Sequence, residues 1–447
     1  MRERSLTQHH YDKLCKLIPG GVNSPVRACK NMHQLPMVDL GPLTYMGPTK
    51  IEGLAEIHKS FIWKKIRWQE GDLYSPKTIE KTQEALELSG LFRTVNISIA
   101  DQPIDENLMP LTIKVLESKH RSVGFGLNFT TEFGFGITAE WENRNVLSNG
   151  QKLSLSTNLW ERLQDARASY LIPDFGRQDQ NLIWILDGHH DRNKAYTETT
   201  ISLSATIERK LTDHLQLAYG GMYKFLRSMR SARNGTFDLI KIPLQLRWTS
   251  TDSILEPTKG NTVQLKVIPS LQILKPQFAY SINTLTTTFY HSLTADKKYI
   301  FATKVMLGTI VGANKYDIPP PERFYAGSES SLRGYRFLTV SPLERCEKPI
   351  GGRSLLIYTN ELRIRFGENL GCVLFYDVGN VYKNYYPTFN KKVLQSTGLG
   401  LRYYTPIGPL RLDLAFPLDR RHKRCYKKRK KYIDHFMEAY FSIGQSF

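Results

Sequence analysis

Residues 436–447, Phe-Met-Glu-Ala-Tyr-Phe-Ser-Ile-Gly-Gln-Ser-Phe, alternate between two kinds of side chain and decide the fold. Apart from the polar exception Gln445, one face is apolar and consists of Met437, Ala439, Phe441, Ile443 and Phe447. The other face, from Glu438 onward, carries small or polar side chains and one tyrosine. A period of two predicts a β-strand with one face toward an apolar environment and the other toward water. This pattern is typical of the wall of a membrane β-barrel, which has lipid outside and an aqueous lumen inside.

The same period of two runs back through the chain to about residue 121. We count sixteen alternating segments, at 122–130, 133–141, 151–160, 166–172, 181–189, 197–210, 215–227, 236–249, 261–274, 278–292, 299–311, 354–366, 371–382, 395–405, 409–418 and 436–447. An even number of antiparallel strands brings both chain ends to one side of the membrane. The sequence therefore predicts a mainly β protein, with a 16-stranded antiparallel transmembrane β-barrel over residues 119–447.

The lengths of the connections agree with this topology. The brief connections are predicted periplasmic turns, at 173–176, 212–214, 256–260, 294–298, 367–369 and 406–408. The longest are predicted to be external, at 312–353, 383–394 and 419–435. One pair disagrees, because the periplasmic connection 143–150 is no shorter than the external connection 228–235. A soluble all-β sandwich remains the alternative, but a closed barrel leaves no strand edge unpaired.

Composition excludes several classes of protein. Hydrophobic residues make up 41% and charged residues 23% of the 447, which are globular values. No stretch approaches the ~18 uncharged apolar residues that a transmembrane helix needs. The five cysteines lie far apart with no CxxC pair, and they are Cys15, Cys29, Cys346, Cys372 and Cys425. We therefore predict no helical membrane protein, no disulfide framework, no metal site and no cofactor.

Almost half of the net charge of +19 lies in one segment. Between residues 420 and 431, nine of twelve residues are basic: Arg420, Arg421, Lys423, Arg424, Lys427, Lys428, Arg429, Lys430 and Lys431. A basic excess predicts an anionic partner, and an external loop favours lipid phosphates as a hypothesis. The alternative is a solvated charged loop. Nucleic acid is not predicted, because the run lies in a loop and not on a folded face with aromatic side chains.

A separate α/β module is predicted over residues 39–118. Its elements are a strand at 45–52, a helix at 56–68, a second helix from Ser75-Pro76 to Gly90, and strands at 94–99 and 111–116. This β-α-α-β-β order, with Glu70-Gly-Asp-Leu-Tyr-Ser-Pro76 before the second helix, resembles a POTRA domain. The resemblance implies an exposed sheet edge that can pair with an extended peptide. A domain that serves only as a spacer is the alternative.

Three motifs in the barrel region carry a second resemblance. They are Phe324-Tyr-Ala-Gly-Ser-Glu-Ser-Ser-Leu-Arg-Gly-Tyr335 in the longest loop, Phe375-Tyr-Asp-Val-Gly379 in the thirteenth predicted strand, and Gly408-Pro-Leu-Arg-Leu-Asp-Leu-Ala-Phe-Pro-Leu418 in the penultimate strand. These motifs resemble those of the outer-membrane assembly and translocation barrels, the bacterial surface antigen family, whose BamA-like and TamA-like members carry POTRA domains. The resemblance covers residues from about 40 to the end. It implies a protein of the Gram-negative cell outer membrane.

In that family the Arg333-Gly334-Tyr335 motif is expected to lie at the tip of the sixth external loop and to fold back into the lumen. A buried arginine must be paired, because an unpaired buried charge is costly. Asp377 faces inward if Phe375 and Gly379 do, and it could make a bidentate contact with the guanidinium. Glu361 is a possible second partner. The alternative is that the motif forms an ordinary surface turn.

The resemblance implies a function without catalysis. The protein would insert or export β-barrel or autotransporter-type substrates through a lateral seam between the first and last strands. Residues beside that seam are Gly124, Gly126, Gly444 and Phe447, where glycine weakens cross-strand packing. The expected partners are unfolded outer-membrane proteins, outer-membrane lipid, and an inner-membrane or periplasmic protein bound through the POTRA domain. A passive outer-membrane pore is the alternative function.

Residues 1–38 do not fit this architecture. The segment Ile18-Pro-Gly-Gly-Val-Asn-Ser-Pro-Val-Arg-Ala28 is similar to the N-terminus of glutamate-1-semialdehyde 2,1-aminomutase, a pyridoxal-phosphate enzyme. Nothing after Val38 resembles that enzyme, so we predict that 1–38 is no folded domain but a relic of rearrangement, an artificial join or a misassembled gene model. No signal peptide is visible, and only one POTRA domain is predicted where TamA-like proteins usually have three. An inactive, truncated or chimeric gene product is therefore a further alternative, and aminomutase activity is the least supported.

Overall fold

The computed structural model describes residues 44–100, 104, 107–229, 235–254, 256–344, 348–367, 369–389, 392–405, 410–422 and 432–443. Within these ranges the chain divides into two compact units, one comprising residues up to Ala55 together with Lys65–Glu117, and the other comprising Glu56–Lys64 together with the residues from Ser118 onward. No helix in the described ranges is long and apolar enough to cross a membrane.

The N-terminal part contains a three-stranded mixed sheet. Its strands are β1 (Tyr45–Glu52), β2 (Phe92–Ile99) and β3 (Leu108–Glu117), in the order β1-β3-β2. β1 runs parallel to the central strand β3, and β2 runs antiparallel to it. Two helices, α1 (Lys59–Lys65) and α2 (Pro76–Glu87), follow β1 in the sequence. This is the β-α-α-β-β order that the sequence predicts.

The predicted boundaries are close for the second helix and wrong for the first. α2 begins at Pro76 after Ser75, whose extended backbone (φ −140°, ψ 110°) is typical of an N-cap residue, and Gly90 follows the helix with φ +67°. The prediction of a first helix over 56–68 was wrong in length. By Arg67 the backbone has left the helix, and its N–H donates to Thr82 Oγ1 at 3.2 Å.

The C-terminal part is a closed antiparallel barrel. Its strands, in chain order, are β4 (Arg121–Thr130), β5 (Gly134–Asn143), β6 (Lys152–Trp160), β7 (Leu163–Ile172), β8 (Gln180–Arg192), β9 (Thr197–Lys210), β10 (Leu215–Met229), β11 (Gly235–Lys241), β12 (Leu244–Thr249), β13 (Gly260–Gln272), β14 (Phe278–Ser292), β15 (Tyr299–Gly312), β16 (Ser354–Phe366), β17 (Leu370–Tyr382), β18 (Leu394–Tyr403), β19 (Leu410–Pro417) and β20 (Glu438–Ile443). Consecutive strands are neighbours, and β20 lies beside β4 to close the ring.

One predicted strand is interrupted. The sequence predicts a continuous strand over 236–249, whereas the structure has β11 and β12, both of which pair with β10 and with β13. The break falls at Ile242 and Pro243. Proline has no backbone N–H for the ladder. The Pro243 carbonyl still accepts a hydrogen bond from the Gly220 N–H at 3.1 Å.

Burial alternates along the strands as the sequence pattern predicts. On β4 the side chains of Val123, Phe125 and Leu127 are 62%, 82% and 83% exposed, so they form the outer surface. On β17 the side chains of Phe375 and Asp377 are buried. Successive side chains of a strand point to opposite faces. Since the apolar side chains lie on the outer surface, the polar and charged side chains point into the barrel.

Candidate functional site

The connection between β15 and β16, residues 313–353, lies inside the barrel, and we call it loop six. Its residues 320–322 form one turn of 3₁₀ helix. Further along, apolar side chains of the loop pack in one cluster with side chains of the barrel wall: Ala326, Leu332, Tyr335, Val340, Leu355, Ile357, Val381 and Leu394. Residues 345–347 lie outside the described residues. The loop therefore fills part of the barrel interior.

Arg333 is a buried charged group of loop six, with 4% of its surface exposed. Its Nε and Nη2 donate to the two carboxylate oxygens of Asp377 at 2.8 and 2.9 Å, and its Nη1 donates to Glu361 Oε1 at 2.8 Å. The guanidinium also stacks on the ring of Phe375, 3.6 Å from its centroid. This is the bidentate geometry that makes arginine–carboxylate contacts strong and directional. The Arg333 backbone N–H adds a further bond to Asp377, at 3.0 Å.

Further charged side chains surround Arg333. Arg363 donates to Glu361 at 2.9 Å, and Arg402 pairs with Asp413, which lies 3.5 Å from Arg333. Three arginines thus face three carboxylates. Burial alone would lower the pKa of Arg333, but Asp377 and Glu361 outweigh it and raise that pKa above its ordinary value. Sequence reasoning missed Asp413, although it stands in the penultimate-strand motif two residues from the buried Ala415, on the same face.

The backbone at the loop tip is tightly bent. Leu332 has φ +52° and Gly334 has φ +85°, in the left-handed region that glycine adopts at low cost. A Cβ atom at position 334 would stand 3.1 Å from Ser396 Cβ, so the glycine also allows close approach to the wall. The Gly334 N–H donates to the hydroxyl of Tyr440 at 3.0 Å. That bond joins the tip to the last strand.

Tyr335 is fully buried and extends the contact to the neighbouring strands. Its hydroxyl donates to the carbonyl of Gln395 at 2.8 Å. Burial raises the pKa of Tyr335 above its ordinary value. Gly379, predicted to share the inward face of β17, packs so closely on β16 that a Cβ there would lie 2.5 Å from the Leu356 carbonyl oxygen. The structure thus brings the predicted loop and wall residues together.

A second ionic contact, at the base of loop six, was not predicted. Glu322 is buried and pairs with Lys224 on β10 at 3.0 Å and with Lys241 on β11 at 2.5 Å. Burial alone would raise the pKa of Glu322, but the two ammonium groups outweigh it and hold that pKa at about 2. The loop is therefore ionically bound to two different parts of the wall. The only sequence indication was an acidic residue two positions before the Phe324 motif.

The predicted seam lies between β4 and β20. A Cβ atom at Gly124 or Gly126 would meet its nearest neighbour at 3.8 or 3.7 Å, which is ordinary contact, so space does not require glycine there. A cavity of about 510 Å³ borders this part of β4. Across the seam the rings of Phe129 and Phe441 are 6.3 Å apart. The other two predicted seam residues, Gly444 and Phe447, lie outside the described residues.

The basic segment differs from the prediction where it is described. Arg421 pairs with Asp434 at 2.5 Å, and its Nη1 donates to the Thr339 carbonyl of loop six at 2.8 Å. Arg420 lies over the ring of Tyr432, 3.9 Å from the centroid. Both side chains are therefore engaged in contacts within the protein. Their predicted companions Lys423, Arg424, Lys427, Lys428, Arg429, Lys430 and Lys431 lie outside the described residues.

The assembled site is suited to holding a loop. Among the described residues, no group of three or more His, Cys, Asp or Glu side chains is arranged to bind a metal ion. Its charged groups are paired with one another inside the barrel. Chemically, the arrangement fixes the position of loop six relative to the wall.

Two family models match this chain. The model of the Omp85 superfamily domain matches residues 145–447, and the model called POTRA, a surface antigen variable number repeat, matches residues 44–118. Together they cover both parts of the fold. The first match alone covers more than half of the chain.

Curated relatives agree with these models. The outer membrane protein assembly factor BamA of Nitratidesulfovibrio vulgaris is 22% identical over 399 residues, covering 84% of this chain and 49% of that protein. The BamA of Neisseria meningitidis is 21% identical over 470 residues, covering 92% of this chain and 57% of that protein. The chain thus spans about half the length of these relatives. Glutamate-1-semialdehyde 2,1-aminomutase of Protochlamydia amoebophila is 58% identical, but only over 38 residues, or 8% of this chain.

Solved structures show the same fold. BamA from Haemophilus ducreyi lacking POTRA domains 1–3 superposes with a TM-score of 0.75 at 20% identity, covering 91% of this chain and 85% of that one. CdiB from Acinetobacter baumannii superposes with a TM-score of 0.61 at 14% identity, covering 90% of this chain and 74% of that one. At these identities the similarity is one of fold.

Proposed function

Because the chain belongs to the Omp85 superfamily, we propose that it works in the outer membrane as a component that inserts or secretes other proteins. The BamA relatives support this, since they are outer membrane protein assembly factors. BamA-like proteins of this superfamily are assembly and transport factors, and the chain is not an enzyme. The aminomutase similarity is confined to a short segment that cannot supply the lysine and phosphate site of a pyridoxal-phosphate enzyme.

We further propose a 16-stranded barrel over residues 119–447, with β11 and β12 counted as one interrupted strand. One POTRA domain over residues 39–118 would precede it. Residues 1–38, predicted to be no folded domain, lie outside the described residues. The shared neighbours of β11 and β12 support this count. The POTRA domain would present a sheet edge to an inner-membrane or periplasmic partner.

One observation carries the proposal: Arg333 of loop six is buried inside a closed barrel between Asp377 and Glu361. A passive wide pore needs an open lumen, whereas here loop six and its charged partners lie within the barrel. Moving charged groups out of water costs free energy, which good pairing only offsets. The fold therefore carries this network at a cost in stability. A barrel with a loop fixed inside it is suited to regulated opening of its wall. It is poorly suited to the passive conduction of solutes.

The working part of the barrel would be the seam between β4 and β20. The seam would open sideways, expose the strand edges and pair with a strand of an unfolded outer-membrane protein, with outer-membrane lipid receiving the product. Unpaired strand edges readily accept another strand. Gly124 and Gly126 support a weak seam, because they contribute no cross-strand side-chain contact. Gly444 and Phe447 would belong to the opposing edge.

Cross-linking the seam tests this mechanism. In a chain whose native cysteines are replaced by serine, Phe129→Cys and Phe441→Cys place two thiols where facing rings lie 6.3 Å apart. The oxidised or cross-linked protein, reconstituted in lipid vesicles, is expected to lose insertion of an unfolded β-barrel substrate, and reductant should restore it after disulfide formation. The barrel itself should stay folded, as its migration before and after boiling would show.

A matched control keeps the cross-link away from the seam. Thr262→Cys and Thr288→Cys join β13 and β14 at paired positions. This cross-link is expected to leave insertion unchanged. Full insertion by the barrel cross-linked at positions 129 and 441 would contradict a lateral seam.

A further inference from the structure

Glu329, in loop six four residues before Arg333, contacts both sides of the seam. Its backbone N–H donates to Glu132 Oε1 at 2.7 Å, and Glu132 lies in the turn that follows β4. Its own carboxylate accepts a hydrogen bond from the Ser442 hydroxyl on β20 at 2.5 Å. One residue of the loop is therefore bonded to the first hairpin and to the last strand of the barrel.

Neighbouring residues of loop six repeat this pattern. The ring of Phe337 packs edge-on against Phe133 in the same β4–β5 turn, with centroids 5.6 Å apart. On the other side, the Tyr440 hydroxyl accepts from the Gly334 N–H and donates to the Tyr335 carbonyl at 3.2 Å. Both Tyr440 and Ser442 are buried. We call the bonds of Glu329 to Glu132 and Ser442 the seam bridge.

The seam bridge is distinct from the ionic contacts of Arg333. Those contacts hold loop six to β16, β17 and β19, on one side of the seam only. Separating β4 from β20 leaves the Arg333 contacts intact but pulls Glu132 away from Ser442. At least one bond of Glu329 must then break. Since a bond present only in the closed state favours that state, the bridge stabilises the closed seam.

We propose that Glu329 is a positioning residue that holds the seam closed from inside the barrel, and that its release from Ser442 or Glu132 accompanies lateral opening. The inference deepens the proposed function, because it assigns the control of the same seam to a particular contact. An incoming strand that pairs with the edge of β20 would draw Ser442 and Tyr440 away from loop six. Substrate pairing and loss of the bridge would then be coupled, while Arg333 keeps the loop in the barrel.

Hydrogen exchange of backbone amides tests the bridge without any insertion assay. The full chain in lipid nanodiscs is followed by mass spectrometry, in peptides covering β4 and β20 and in reference peptides covering β13 and β14. Exchange of amides that open locally is proportional to the open fraction. For Glu329→Ala we expect roughly fivefold faster exchange in β4 and β20, the effect of losing about one net hydrogen bond, with no change in the reference peptides.

Matched variants separate the bridge from a general loosening. Glu329→Gln retains an Oε1 acceptor for Ser442 and should exchange close to the native rate. Ser442→Ala should behave like Glu329→Ala, and combining the two should add little, because both remove one shared bond. Asp317→Ala, an exposed acidic position in the same loop, is the control. A Glu329→Ala protein that is folded but exchanges like the Asp317→Ala protein would overturn the proposal, whatever the cross-linked seam does to insertion.

Discussion

Near its tip, loop six meets the barrel wall in two regions with different chemistry. On one side, Arg333 and its neighbours form a buried network of three arginines and three carboxylates on β16, β17, β18 and β19. On the seam side the contacts include single hydrogen bonds of Glu329, Gly334 and Tyr335 and one pair of rings. Breaking a buried charge network costs several times more than exchanging a single hydrogen bond. The difference suggests a loop that is fixed at one end and releasable at the other.

The largest effect is expected for Arg333→Ala. Asp377 and Glu361 would remain buried without their partner, which typically costs ~3–5 kcal/mol. We expect the free energy of unfolding in denaturant to fall by about that amount and substrate insertion to be lost. Arg333→Lys keeps the positive charge but loses the bidentate contact. Its stability and insertion activity should therefore lie between those of the native chain and those of Arg333→Ala. An Arg333→Ala protein with native stability and native insertion activity would contradict the view that the Arg333 contacts fix loop six to the wall.

A somewhat smaller loss is expected for Glu322→Ala, at the base of the loop. It leaves Lys224 and Lys241 near one another without their carboxylate, at a cost of about 3 kcal/mol. Because the pKa of Glu322 is lowered to about 2, this contribution is present above its ordinary value near 4.5 and is lost as the pH falls toward 2. Denaturant unfolding at pH 3 and pH 7 checks this. Equal destabilisation of the native chain and of Glu322→Gln on acidification would contradict it.

Tyr440→Phe acts where the two regions join. The substitution removes the hydroxyl that accepts from Gly334 and donates to the Tyr335 carbonyl, and it keeps the ring. We expect a loss of ~1–2 kcal/mol in stability and faster amide exchange in β20. Exchange in β17 should not change. A change of equal size in β17 and β20 would show that the Arg333 network and the seam contacts are disrupted together.

The smallest effect concerns the protonation of Glu132. Burial, together with the nearby Glu329 carboxylate, raises the pKa of Glu132 to about 7, although the Glu329 N–H bond opposes the shift. A raised carboxyl pKa stabilises the fold below its ordinary value near 4.5, and that stability is lost as the pH rises through about 7. Amide exchange in the β4 hairpin should therefore be faster at pH 8 than at pH 6, after correction for intrinsic rates. In Glu132→Gln the exchange rates of these amides at pH 8 and pH 6 should be equal after the same correction.

Much of the fold follows from local pattern. Alternation along β4 and β17 predicts the inner and outer faces, because a barrel places them in different solvents. The position of Pro243 could have indicated the interruption between β11 and β12, since proline cannot donate to a ladder. Apolar spacing predicts the existence of helix α1 but not its short length, because tertiary contacts such as the bond from the Arg67 N–H to Thr82 lie far away in sequence.

The site was predictable only in part. The Arg333 motif and its resemblance to known barrels indicate a buried arginine, and the inward position of Asp377 follows from strand alternation. Glu322 and Glu329 gave no comparable indication. Their partners lie far away in sequence, since Glu322 is 81 positions from Lys241 and Glu329 is 113 positions from Ser442. Such contacts depend on strand register and on the path of a loop through the lumen, which periodicity does not determine.

Amide exchange of the unmodified chain in lipid nanodiscs compares the two regions most directly. Because the seam is held by a few hydrogen bonds and the Arg333 side by a buried charge network, we predict that amides of β4 and β20 exchange at least roughly tenfold faster than those of β17. Equal amide protection of β4, β17 and β20 would mean that no part of the wall opens more readily than another. That result would contradict a seam controlled by loop six.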